Sequence, residues 1–327
     1  MTGLHRPADH SVDRSVDSSA DHSADLRPRE ALRLAWPLAL ANLVANIGIV
    51  ITGGAVRLTG SGLGCPTWPR CTEDSYVAHG ELGIHGAIEF GNRLLTFVLV
   101  ALAVALWVVM LVGLVRTWRG ERAWRPFWLA TTIALGIPAQ AVIGGITVHT
   151  DLNPWIVSLH LLVSMAIIGV CVVLLDELRG PRRDASARLV PLVWAVFAVT
   201  WVVLYLGTVV TGSGPHSGDL DSRRTGLDPQ LMSHVHAAAV YLLLALTVGL
   251  AVAARRVGTP TLVSATVLLL VLEVAQGVVG FVQYFTDLPE LLVGIHMLGA
   301  AVISASATWV VLAARSRGAV GRGRVSR

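Results

Sequence analysis

The sequence predicts an all-α integral membrane protein, with eight transmembrane helices forming two tandem, pseudo-symmetric four-helix bundles. Three observations predict it: an apolar composition, a series of apolar stretches of membrane length, and polar residues that recur in register between the halves. Of 327 residues, 54% are hydrophobic and 14% charged, against about 25% charged in soluble domains. A spanning helix takes ~20 predominantly apolar residues. Eight stretches qualify, at 34–56, 86–114, 127–149, 155–176, 190–211, 232–254, 261–285 and 290–313.

The elements follow in chain order. Residues 1–33 hold "ADHSVDRSVDSSADHSAD", with Asp9, Asp13, Asp17, Asp21 and Asp25 spaced by four. Acids stacked on one helical face repel and apolar side chains are few, so a disordered tail is expected. No charged segment leads into a short apolar core, which argues against a signal peptide. Residues 34–176 form the first four-span bundle, 177–189 a linker, 190–313 the second bundle and 314–327 a basic tail. All 25 basic residues are arginine. The loops after spans two, four and six carry Arg116, Arg119, Arg122, Arg125, Arg179, Arg182, Arg183, Arg188, Arg255 and Arg256. The alternate loops carry only Arg57, Arg70, Arg223 and Arg224. The positive-inside bias then puts both termini in the cytoplasm, in a multi-pass protein of the cell membrane. The basic charge thus serves topology and contact with anionic lipid, and no soluble basic face suggests nucleic acid.

The halves repeat. "QAVIGGITVHTDLNP" (140–154) answers "QGVVGFVQYFTDLPE" (276–290), and His160 and His296 each follow the glutamine by 20 residues. "LTGSG" (58–62) matches "VTGSG" (210–214). Four spans per half give parallel repeats about an axis along the membrane normal. The even-numbered spans open with polar residues at one depth: "IEFGNRLLTF" with Asn92, "WIVSLHLLV" with His160, "LMSHVHAAAVYL" with His234 and His236, and "LLVGIHMLGAA" with His296. Ionisable groups inside spans are functional candidates. Two imidazoles facing each other across a bundle, His236 and His296, suit the axial positions of a haem iron; interhelical hydrogen bonding is the plainer alternative. His234 points elsewhere on its helix. His79, His85, His149 and His216 fall in or beside outer loops, where solvated histidines are expected.

Glu89 and Asn92 share one helical face, with His85 a turn before. Glu89 is a candidate proton acceptor, with a salt bridge to Arg93 as the alternative. Arg57 and Arg93 suit either haem propionates or anchoring at the headgroup level. Gln140 and Gln276 suit interhelical hydrogen bonds. Cys65 and Cys71 lie in one outer Gly/Pro-rich loop, "GSGLGCPTWPRC", where a disulfide would persist; the matching loop 212–226 has no cysteine. Cys171 reads as a small packed hydrophobe.

In this order over eight spans, "GGAVRLTGSGLGCPTWPRC", "IEFGNRLLTF", "SLHLL", "VHAAA" and "GIHMLGAA" resemble the haem A synthase family across residues 34–313. The resemblance implies conversion of haem O to haem A for terminal oxidases, by successive hydroxylation of the C8 methyl to a formyl group. It implies a haem b between His236 and His296, and a substrate haem at His160 and Asn92 in the first bundle. It makes Glu89 the essential glutamate and Cys65–Cys71 the cysteine pair that some members join by a disulfide. Haem O synthase and an electron acceptor are the partners it suggests, beside the lipid bilayer. Many members carry histidine at the position of Asn92, so a single iron ligand, His160, is expected on the substrate side. The rival classes are a b-type cytochrome that moves electrons without altering the porphyrin, and a transporter with parallel repeats. A transporter would show helices broken at mid-membrane; here Gly144-Gly145 is the nearest approach to a break, and close packing accounts for it equally.

Overall fold

The computed structural model describes residues 18–116, 124–179, 187–219 and 222–315. Among these there is no strand. The helices are α1 (Ser18–Leu58), α2 (Gly83–Arg116), α3 (Trp124–His149), α4 (Pro154–Leu178), α5 (Val190–Ser213), α6 (Pro229–Val257), α7 (Pro260–Phe285) and α8 (Glu290–Ala313), with short 3₁₀ turns at Gly80–Leu82 and Ala187–Leu189. All eight α-helices are long and apolar enough to cross a membrane. Starts are set by local chemistry. Pro154, Pro229 and Pro260 occupy first-turn positions, where a missing N–H costs nothing. The Asn153 and Asp228 side chains accept from Trp155 N and Leu231 N.

The N-terminal end differs from expectation. Helix α1 begins at Ser18, inside the stretch read as a tail. Extending a formed helix adds one hydrogen bond per residue without a new nucleus, so the membrane span carries the helix outward. Residues 1–17, the tail from 316, and Arg119, Arg122, Arg182 and Arg183 lie outside the described residues.

Helix α1 packs on α2 and α4, and α3 closes the ring against α2 and α4; α5, α6, α7 and α8 repeat the same neighbours. Helices α4 and α8 meet between the rings, with α1 against α8 and α4 against α5. The buried side chains repeat too. Leu99, Leu106 and Met110 of α2 are matched 144 positions later by Leu243, Leu250 and Ala254 of α6. Ile133, Ile167, Cys171, Leu174 and Leu175 are matched 136 positions later by Leu269, Ile303, Ala307, Val310 and Val311. A third cluster of Val50, Met165, Ile168, Leu204 and Ala301 fills the seam between the rings. There Ser158 and Thr208 share a hydrogen bond of 2.5 Å, and Ser304 donates to the Met165 carbonyl. Such contacts, with close packing, hold helices together where lipid is as apolar as their side chains.

The two Thr-Asp-Leu turns have the same backbone. Asp151, Leu152, Asp287 and Leu288 all sit at φ between 50° and 57°, a region leucine seldom enters. In each turn the leucine N–H closes back on a carbonyl five residues earlier, Thr147 or Gln283. Leu152 is wedged where Gly62 and Gly218 leave room: a Cβ on either would lie 2.7 or 3.0 Å from its Cδ1.

Helix α3 runs unbroken through Gly144 and Gly145. Gly145 is the seat of Trp68, whose ring atoms would lie 2.3–2.8 Å from a Cβ there. Gly145→Ala should therefore unseat Trp68 and destabilise the protein by about 1–3 kcal/mol, read as a lower unfolding temperature in detergent with altered tryptophan emission. Unchanged emission and stability would show that Trp68 is not held by this contact.

Candidate functional site

The polar side chains collect at the end of the helices that carries the 59–82 loop. Three histidines there share one environment. His160 of α4 lies against Gly144 of α3, His296 of α8 against Gly280 of α7, and His236 of α6 against Gly207 of α5. In each case the imidazole Cε1 would be 3.3–3.4 Å from a Cβ on the glycine. Each Nδ1 is buried without a hydrogen bond of good geometry, although the Val203 carbonyl lies near the His236 ring. The residues themselves are only part-buried. His236 and His296 lie close enough to interact electrostatically. The supports match as well: Gln140 and Gln276 each donate to the carbonyl of the histidine 20 residues on, at 2.9 and 2.8 Å.

Asn92 stands on α2 where the repeat would place a fourth imidazole. Its Oδ1 accepts from Thr52 at 2.8 Å, and its Nδ2 faces Gly53 across 3.9 Å to a Cβ position. One turn away, Glu89 is 6% exposed. Its Oε1 accepts from Arg93 Nη2 at 2.5 Å and Nε at 3.1 Å, and its Oε2 from the Cys65 N–H at 2.7 Å. Arg93 reaches on to the carbonyls of Cys65, Thr67 and Arg70. Glu89 and Arg93 thus clasp the loop closed by the Cys65–Cys71 disulfide, both cysteines of which are buried. The salt-bridge alternative describes the contact itself, while the second lone pair on Oε2 remains available.

Arg57 is turned away from Arg93. Its Nε and Nη2 donate to the carbonyls of His216 and Thr211, tying α1 to the loop after α5. The outer histidines are more engaged than expected. His149 Nε2 meets the Trp68 carbonyl, His216 Nε2 the Leu288 carbonyl, and His85 Nδ1 the Ser61 hydroxyl. His234 is exposed beside Tyr284, and Cys171 is buried. Sequence reasoning passed over Glu273, a buried carboxyl in α7; an acid in the middle of span seven was the available signal. Among the described residues no three or more His, Cys, Asp or Glu side chains gather as a metal site. A metal held by these imidazoles must therefore bring most of its own ligands.

Fold and site define a multi-pass helical membrane protein with imidazoles presented in pairs and singly between helices, beneath a disulfide-closed loop. The chain belongs to the COX15-CtaA family, described as cytochrome oxidase assembly protein, whose model matches residues 37–215. It is similar to the haem A synthase of Geobacillus thermodenitrificans, at 30% identity over 42% of this chain and 41% of that one. The haem A synthase of Bradyrhizobium sp. strain BTAi1 is 30% identical over 54% and 56%, and that of Bacillus licheniformis 26% over 67% and 75%. The chain spans 41% and 56% of the length of the first two of these relatives.

Two outcomes follow. Arg93→Ala strands a buried carboxylate and several loop carbonyls, so it should cost about 3–5 kcal/mol and expose Cys65 and Cys71 to thiol reagents after mild reduction; wild-type reactivity would show that the clasp does not hold the loop. Gly280→Val should push the His296 ring from its seat and destabilise the protein by about 1–3 kcal/mol, read as a lower unfolding temperature in detergent; unchanged stability would refute the packing role of that glycine.

Proposed function

We propose that the chain is a haem A synthase of the cell membrane, with both termini cytoplasmic, that oxidises the C8 methyl of haem O to a formyl group through successive hydroxylations. The observation that carries this reading is the shared seating of His160, His236 and His296, each packed on a glycine with its Nδ1 buried and unpartnered. That arrangement fits a porphyrin. The porphyrin nitrogens supply the in-plane ligands, so one or two imidazoles suffice, as the absence of a larger cluster among the described residues requires.

His236 and His296 would hold a haem b, which when bound supplies a one-electron acceptor. His160, its carbonyl fixed by Gln140, would bind the substrate haem from one side. Asn92 cannot ligate iron as imidazole does, so the opposite face stays accessible and the substrate can enter and leave. Glu89 holds a proton-accepting position at Oε2, where it would take one of the two protons released as a water oxygen replaces a methyl hydrogen. The second proton goes to solvent and the two electrons pass in turn to a separate acceptor. Arg93 keeps that carboxylate oriented through Oε1, and the Cys65–Cys71 loop covers the pocket. The arginines at the opposite helix ends support the orientation. Haem O synthase is the natural supplier of substrate, a separate electron acceptor completes the turnover, and the terminal oxidases use the product. A b-type cytochrome would need His236 and His296 but gives no reason for a proton acceptor at Glu89 in the other half.

The test is a census of extracted haems by mass after expression with a source of haem O. Wild type should yield haem A with retained haem b, His296→Ala should lose the haem b, and Glu89→Gln should retain haem but fall at least about 100-fold in formyl product, the scale of a lost acid–base group. Normal haem A from Glu89→Gln would remove Glu89 from the chemistry; wild-type protein that binds no haem would overturn the whole reading.

A further inference from the structure

Glu273 lies in the middle of α7 and is 3% exposed. Thr247 of α6 donates to its Oε1 at 3.0 Å, while Oε2 is buried with no partner. Leu269 lies one turn before it on α7, and Leu243 and Leu250 flank Thr247 on α6, all members of the core cluster of the second ring. A carboxyl group in such surroundings is costly unless its charge is removed or balanced.

The repeat supplies an internal control. The matching positions in the first ring are Ile137 for Glu273, and Ala103 for Thr247, both buried in the equivalent cluster. This core is therefore built without the polar pair. Glu273 and Thr247 are additions to the half that carries both His236 and His296.

Among the described residues no fixed charge stands at the depth of Glu273 to balance it. Helix α7 packs on α6 and α8. The titratable groups of α6 are His234, His236 and Tyr241 toward the loop end, and Arg255 and Arg256 at the other. Those of α8 are Glu290 and His296, with Arg315 beyond its far end, and α7 itself adds Tyr284. None lies at the depth of Glu273. Seven residues separate Glu273 from Gly280, the seat of His296, or about 10 Å along the helix. Over that distance in a low dielectric, a change of charge at the histidine pair reaches the carboxyl group.

We propose that Glu273 is a redox-linked proton site. Its carboxylate takes up one proton for each electron accepted at the His236–His296 site and releases it on reoxidation. This rests on the reading that those histidines hold a haem. One electron enters the iron, one solvent proton forms the O–H bond of the carboxylic acid, and net charge is conserved. In turnover the electron comes from the porphyrin methyl under oxidation; in the test it comes from a chemical reductant such as dithionite.

The experiment is a spectroscopic redox titration at several pH values on the full-length protein carrying His160→Ala, so that only the second-half haem reports. With Glu273 present, the midpoint potential should fall as pH rises, approaching about 59 mV per pH unit for one proton per electron. Glu273→Gln keeps an acceptor for Thr247 but cannot titrate, so it should retain the haem and lose most of that slope. Reduced-minus-oxidised infrared spectra should show a deuterium-sensitive carboxylic acid band that Glu273→Gln removes. The double change Glu273→Ile with Thr247→Ala, copying the first ring, should fold, bind haem and behave as Glu273→Gln does. An unchanged slope in haem-replete Glu273→Gln would reduce Glu273 to a helix–helix hydrogen bond and overturn the proposal. Absence of haem from protein with His236 and His296 intact would instead overturn the haem reading, and this inference with it.

Discussion

The buried ion pair of Glu89 and Arg93 is the interaction on which the loop end of the molecule depends. A charged pair near the mouth of a membrane helix is costly to desolvate, and geometry has to compensate. Here it does. One carboxylate oxygen takes two guanidinium donors, the other takes a backbone N–H, and the remaining guanidinium donors reach three loop carbonyls. The pair thereby fastens the disulfide loop onto α2 and directs Trp68 into the notch that Gly145 leaves in α3. A carboxylate held in this way is a structural clasp that uses both of its oxygens.

The two rings match in their apolar layers and part at polar positions. The apolar layers are nearly conserved between rings, from Leu99 and Leu243 to Leu175 and Val311. The polar positions are where the rings part: Asn92 against His236, Ile137 against Glu273, and a disulfide loop against one without cysteine. Packing tolerates little change in volume, whereas side chains bordering a ligand pocket answer to the ligand. The first ring presents one imidazole and an amide, the second two imidazoles.

Much of this was legible in the residues. Eight spans were within about three residues of the helix ends for all but α1, because hydropathy over a membrane-length window is a local property. The glutamine–histidine spacing of 20 residues announced a repeated contact, and both glutamines do bond the histidine carbonyls. The outer histidines were harder to read. Their partners, Trp68, Leu288 and Ser61, come from remote turns whose approach no linear pattern records. Arg57 likewise spans 159 positions to His216, a reach invisible to any motif.

Span number, the parallel repeat and the identity of the polar side chains at one depth were written in the chain, since each follows from composition and period. How the oxygens of Glu89 are engaged, which imidazole nitrogen is buried, and that Glu273 finds a single partner depend on helix rotation and on neighbours far away in sequence. Those are settled by packing, because an angular turn of one residue moves a side chain from lipid to pocket without changing any property that a hydropathy window can sense.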